Sequence, residues 1–199
     1  MIPVDEYLTI ATPNEHEIKI SKSRFIASAF HIESKDDFLQ YRQEIRKRYF
    51  DARHHPFGYI IRTEDFRYND DGEPSGTSGL PIYEAIAAHN LTDTLVIVTR
   101  YFGGIKLGTG GLKRAYFQAA DECLSSAKTE KKYLYDEIKI EMDFAYISLL
   151  MKLTDKYKVI ISEDNSTVKY AGTLLVRKSM TENFKSELIN FTNGKINIF

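Results

Sequence analysis

Tryptophan is absent, cysteine occurs once and proline five times in these 199 residues. The lone Cys123 excludes an internal disulfide and any zinc site built from several cysteines. No run of 18 or more apolar residues occurs, so no segment is expected to cross a membrane as a helix. The opening stretch MIPVDEYLTIATPNEHEIKI lacks a basic segment leading into a long apolar one. No secretory signal is therefore expected, and a cytoplasmic location is. An excess of either charge is missing too: 27 Lys and Arg stand against 28 Asp and Glu, net −1. That excludes a strongly basic, nonspecific nucleic-acid binder. The balance is uneven, with 15 basic and 18 acidic side chains in residues 1–127 and 12 and 10 in residues 128–199. Any contact with phosphate must rest on local patches. At 43% hydrophobic and 13% aromatic, the chain is too apolar to be disordered and ample for a core.

Glycine is the strongest positive signal. Eight of the eleven glycines fall between Gly72 and Gly111, in the clusters DDGEPSGTSG (70–79) and GGIKLGTGG (103–111). Beyond them the composition turns to Lys, Tyr, Ile and Leu. The polar stretch SSAKTEKK (125–132) reads as a linker between domains at residues 1–127 and 132–199. Before it the pattern is mixed: strands over 22–32 and 57–62, and a buried strand at Leu95-Val96-Ile97-Val98. Helices are expected over 36–49, after the capping box Ser34-Lys35-Asp36-Asp37, around Pro81, and from Leu112 onward. After it the order is strand (133–142), helix (145–157), strand (158–162), strand (167–176), helix (180–191), strand (195–198). A second capping box is read at Ser179-Met180-Thr181-Glu182. This β-α-β-β-α-β order is the ferredoxin-like arrangement, two helices on one face of an antiparallel sheet.

The segment RYFGGIKLGTGGLKR (100–114) runs from a buried strand through glycines into a helix. Free backbone N–H groups at such a helix start can face an anion, with charge from Arg100, Lys106, Lys113 and Arg114 and close approach at Gly108, Gly110 and Gly111. The phosphate-loop fingerprint fails, because Thr109 stands where it needs Lys, and the dinucleotide fingerprint fails at Lys113. From the loop alone an anion site and a tight structural turn both remain open. Asp70, Asp71 and Glu73 are candidate acid–base or cation groups, although turn chemistry explains them as well. His54 and His55 are adjacent and point to opposite sides of a strand, poor geometry for one metal, but one of them can meet Asp71 or Glu73 in space. The basic run Arg42, Arg46, Lys47, Arg48 and Arg53 reads as a solvated face. No Gly-x-Ser-x-Gly nucleophile motif occurs, and Cys123 falls on an apolar helix face as an inert thiol.

SKSRFIA (21–27), DARHHPFGY (51–59), DDGEPSGTSGLP (70–81) and TRYFGGIKLGTGGLKRAY (99–116) together closely resemble the IMPACT/YigZ family of small cytoplasmic proteins. The resemblance covers nearly the whole chain. It implies an α+β protein: an N-terminal domain of the ribosomal-protein-S5 domain-2-like fold, as in elongation factor G domain IV, then a ferredoxin-like domain as in its domain V. Eukaryotic relatives regulate translation initiation and carry a further N-terminal partner-binding domain, for which this chain has no room. Pro56 and Gly58 stand where the family pattern has Cys and Ala, so no thiol chemistry is expected there.

The resulting expectation is a noncatalytic, translation-associated protein that binds RNA, the ribosome or another anionic partner. The contacts would be Arg100, Lys106, Gly108, Gly110, Gly111, Lys113 and Arg114, and a translation-related protein is a further expected partner. No cofactor, metal or membrane is called for. One alternative is a small hydrolase or phosphate-ligand enzyme using His54, Asp71 and Glu73 where the two glycine loops meet. Another is a protein-interaction module using the open sheet face of the C-terminal domain.

Overall fold

The side chain of Ser34 accepts the N–H of Asp37 at 3.1 Å while the Asp37 carboxylate accepts the N–H of Ser34 at 2.9 Å. This reciprocal capping starts the expected helix one residue early, at Lys35. The structure is a computed structural model and describes residues 5–62 and 65–199; residues 1–4, where the expected N-terminal domain begins, lie outside these. Among the described residues the first elements are β1 (Glu6–Ile10), β2 (Asn14–Ile20), β3 (Ser23–His31), α1 (Lys35–Arg48), β4 (Phe57–Ile61) and β5 (Asp65–Asn69). There follow α2 (Gly79–Ala88), β6 (Thr94–Tyr101), α3 (Gly108–Ser126) and β7 (Thr129–Tyr133). The last are β8 (Tyr135–Met142), α4 (Ile147–Tyr157), β9 (Ile160–Asp164), β10 (Tyr170–Arg177), α5 (Thr181–Phe191) and β11 (Ile196–Ile198). The protein is of the α+β class. Its chain divides into Leu8–Lys131 and a second unit made of residues 5–7 and Lys132–Phe199.

In the larger unit an antiparallel sheet has the order β2-β3-β6-β4-β5. Its two faces explain the continuous apolar run in β6. Val96 and Val98 pack with Phe25, Ala27 and Ala29 against Ile82 and Ile86 of α2 and Ala115, Tyr116 and Ala119 of α3. Leu95 and Ile97, on the opposite face, pack with Phe57 and Tyr59 against Phe38 and Ile45 of α1. Alternating side chains thus meet helices on both sides, which is why no polar residue interrupts the run Leu95–Val98. β2 and β5 escape a pattern reading because both are edge strands; β5 exposes four of its five residues.

The smaller unit has sheet order β11-β8-β10-β9, all neighbours antiparallel. This is the ferredoxin-like order expected from the sequence. Leu150 and Leu153 of α4 and Phe184 and Leu188 of α5 bury against Ile138, Ile140, Leu174 and Val176. The division between the units, after Lys131, falls within the stretch 125–132, which is not irregular but holds the end of α3 and most of β7, paired with β1. One local expectation is corrected. Ser179 does not cap α5, whose first turn follows Met180 without a side-chain cap. Its hydroxyl donates instead to the buried carboxylate of Asp5 at 2.5 Å, beside the Arg177 guanidinium at 2.9 Å.

Candidate functional site

β6 delivers the chain from the core to the glycine loop. Gly103 has to be glycine, because a Cβ there would stand 2.0 Å from the carbonyl carbon of Lys22. Its N–H donates to the Ser23 hydroxyl at 3.1 Å. The left-handed φ of +71° at Gly108 then turns the chain into α3, four residues before the Leu112 start expected from apolar spacing. Leu107 at the helix boundary supplies no side-chain cap, and no acidic residue occupies the first turn. The first N–H groups of α3 and the positive end of its dipole are therefore left to solvent or to a partner. Gly108, Thr109 and Gly110 are exposed and Gly111 is half-buried; Lys106, Lys113 and Arg114 are exposed around them. The fold thus gathers six of the seven anticipated anion-binding residues at one end of α3.

Arg100, the seventh, is buried instead of standing with the loop cations. Its Nη1 donates to Glu73 Oε1 at 2.7 Å, and the Tyr116 hydroxyl donates to the same oxygen at 2.7 Å. The guanidinium lies 5.5 Å from the ring centroids of both Phe25 and Phe102. Burial, then the adjacent Glu73 charge, pushes the Tyr116 phenol far above the ordinary tyrosine range, so it is a permanent donor here. This triad ties the first glycine segment to the strand and helix that flank the second. Its signal in the sequence was Tyr116 on the apolar face of a helix, since a buried phenol needs a polar partner.

The acidic cluster splits into separate jobs. Asp70 Oδ1 accepts the N–H groups of Ser78 at 3.0 Å and Gly79 at 2.9 Å, and Oδ2 accepts that of Gly76 at 2.8 Å. Burial alone would raise its pKa, but these bonds outweigh that and hold it down. Asp70 thus binds the loop to the start of α2. Asp71 Oδ1 meets Arg46 at 2.5 Å and Arg42 at 3.5 Å, and Oδ2 accepts the His55 N–H at 2.8 Å. Arg42 and Arg46, read as a solvated face, are thereby held to the loop. His54 Nδ1 donates to the Asp71 carbonyl at 2.8 Å. His55 turns inward to Thr99 at 3.0 Å, and burial lowers its pKa. His54, Asp71 and Glu73 hence do not converge on one acid–base site. No group of three His, Cys, Asp or Glu among the described residues is arranged to hold a metal.

The family-model description "Impact N-terminal domain" fits residues 21–124, which include every residue of this site. The chain belongs to the IMPACT family. The IMPACT family member YvyE of Bacillus subtilis is 34% identical over 96% of this chain and 89% of its own length. An IMPACT family member of Haemophilus influenzae is 32% identical, covering 96% and 95%. The IMPACT family member YigZ of Escherichia coli is 27% identical over 98% of both. A solved structure described as a hypothetical protein shares the fold at TM-score 0.76 with 24% identity, covering 99% of this chain and 98% of that one. Gly58 leaves no room for a side chain: a Cβ would lie 2.7 Å from the Tyr83 backbone nitrogen.

Proposed function

We propose that this IMPACT-family protein acts in translation without catalysing a reaction, by gripping RNA phosphates of the ribosome at the N-terminus of α3. The observation that carries this reading is the uncapped, acid-free start of a 19-residue helix, exposed among Lys106, Lys113 and Arg114. Phe102 and Ile105, large apolar side chains exposed on the same loop, favour a macromolecular partner over a simple ion. The fold likeness to two elongation factor G domains, which the family resemblance implies, supports a ribosomal setting. A net charge of −1 fits a patch and not a charged coat.

Cosedimentation with ribosomes across a salt series tests this. Three side chains on phosphates predict a loss of about 30-fold in affinity between 50 and 200 mM salt. The Lys106→Glu/Lys113→Glu/Arg114→Glu variant should lose binding at low salt. Absence of wild-type binding at low salt, or equal binding by the variant, overturns the reading.

A further inference from the structure

Beside the glycine loop lies an open cleft of about 450 Å³ whose lining includes Asp51, Arg53, His54, Arg100, Tyr101 and Phe102. Arg100 is the buried member, its side chain only 9% exposed. Its Nη1 is taken by Glu73, but its buried Nε has no hydrogen-bond partner among the described residues. Native structures rarely leave a buried charged nitrogen without an acceptor, and Arg100 brings to the lining of this cleft a buried cation paired on one side only. Phe102 is 58% exposed, with the Arg100 guanidinium 5.5 Å from its ring centroid, which makes it a platform open to a second flat partner. His54 spends Nδ1 on the Asp71 carbonyl, so Nε2 is the nitrogen it offers to a ligand. The Tyr101 hydroxyl holds Asp51 Oδ1 at 2.6 Å, which positions the carboxylate and leaves its other oxygen as an acceptor. Arg53 is exposed.

We propose that this cleft binds a ribonucleotide, free or within an RNA strand, with the base stacked on Phe102, the phosphate met by Arg53 and Arg100, and the ribose hydroxyls donating to Asp51. Each part of the cleft selects against a simpler ligand. Inorganic phosphate has no use for Phe102 and is repelled by Asp51. A deoxyribose lacks the 2′-hydroxyl donor that distinguishes RNA from DNA. The proposal deepens the RNA-binding reading and rests on it for the RNA strand as occupant.

Isothermal titration of the full chain with AMP, dAMP, inorganic phosphate and an eight-residue oligoadenylate RNA tests it, without ribosomes present. Phe102→Ala should weaken AMP or octamer binding about tenfold, the size of one lost base–aromatic stack. Arg53→Ala should cost roughly the same through a lost charged contact. dAMP should bind several-fold more weakly than AMP. An octamer at least about tenfold tighter than AMP identifies the strand as occupant; AMP equal to or tighter than the octamer identifies the free nucleotide. No binding of either at about 1 mM overturns the proposal, as does AMP binding unchanged in both variants or matched by phosphate. Phe102 and Arg53 are exposed, so both variants should keep the wild-type melting temperature. Ribosome cosedimentation of the triple loop variant is a separate result, so either conclusion can fail while the other stands.

Discussion

Arg100 and Glu73 form a 2.7 Å ion pair with side chains only 9% and 3% exposed, the Tyr116 hydroxyl completing the carboxylate's shell. Two charges this far from water are tolerable only together. Glu73→Ala leaves Arg100 buried and unpaired and should destabilise the protein by about 3–5 kcal/mol. The double variant Arg100→Met/Glu73→Gln removes both charges and keeps an acceptor for Tyr116, so it should lose less than Glu73→Ala. Urea denaturation midpoints check the order; a double variant weaker than the single would contradict it.

Gly103, in the loop, and Gly110, in the first turn of α3, sit seven residues apart and should respond oppositely to alanine. At Gly103 a Cβ meets the Lys22 backbone at 2.0 Å, and Gly103→Ala should cost about 3 kcal/mol or more. At Gly110 only the Arg114 side chain comes near, at 3.7 Å. Gly110→Ala should therefore stabilise α3 by about 0.5–1 kcal/mol, glycine being the poorer helix former. On the proposed function it should also weaken ribosome binding, because the methyl group holds phosphate away from the helix N–H groups. Thermal melts and cosedimentation read the two effects separately.

Asp5 makes part of the stability pH-dependent. Burial raises its pKa, but the bonds from Arg177 and Ser179 prevail and hold it at about 2, below the ordinary 3.8. A depressed folded-state pKa stabilises the protein above the unfolded value, and that contribution disappears as pH falls from about 4 to 2. It amounts to roughly 2 kcal/mol. Asp5→Asn should thus melt well below the wild type at pH 6, with the gap narrowing toward pH 2. A gap independent of pH would show that the Asp5 charge contributes nothing.

Cys123 should be inert in the native protein. Burial pushes its thiol up to about 12, and its Sγ lies 3.4 Å from the Ala27 carbonyl. A disulfide-exchange reagent at pH 8 should modify it only after urea unfolding. Rapid modification of the folded protein would disprove its burial.

Where local chemistry suffices, the sequence determined the outcome by itself: the capping box at Ser34, the twin-faced apolar run of β6 and the ferredoxin-like order of the last elements all follow from side-chain type and spacing. The family was legible in its glycine motifs. Edge strands β2 and β5 were not, because a strand that buries little carries little apolar pattern. Nor was the division of labour within the candidate site. Asp70, Asp71 and Glu73 are near neighbours in the chain, and Arg100 resembles Lys106 in charge, yet burial and partners separate them. Only the tertiary structure decided that Arg100 turns to Glu73 and Tyr116 while Lys106, Lys113 and Arg114 face water. A charge taken out of solvent requires an opposite charge held in place, and that partner comes from 27 residues away in sequence.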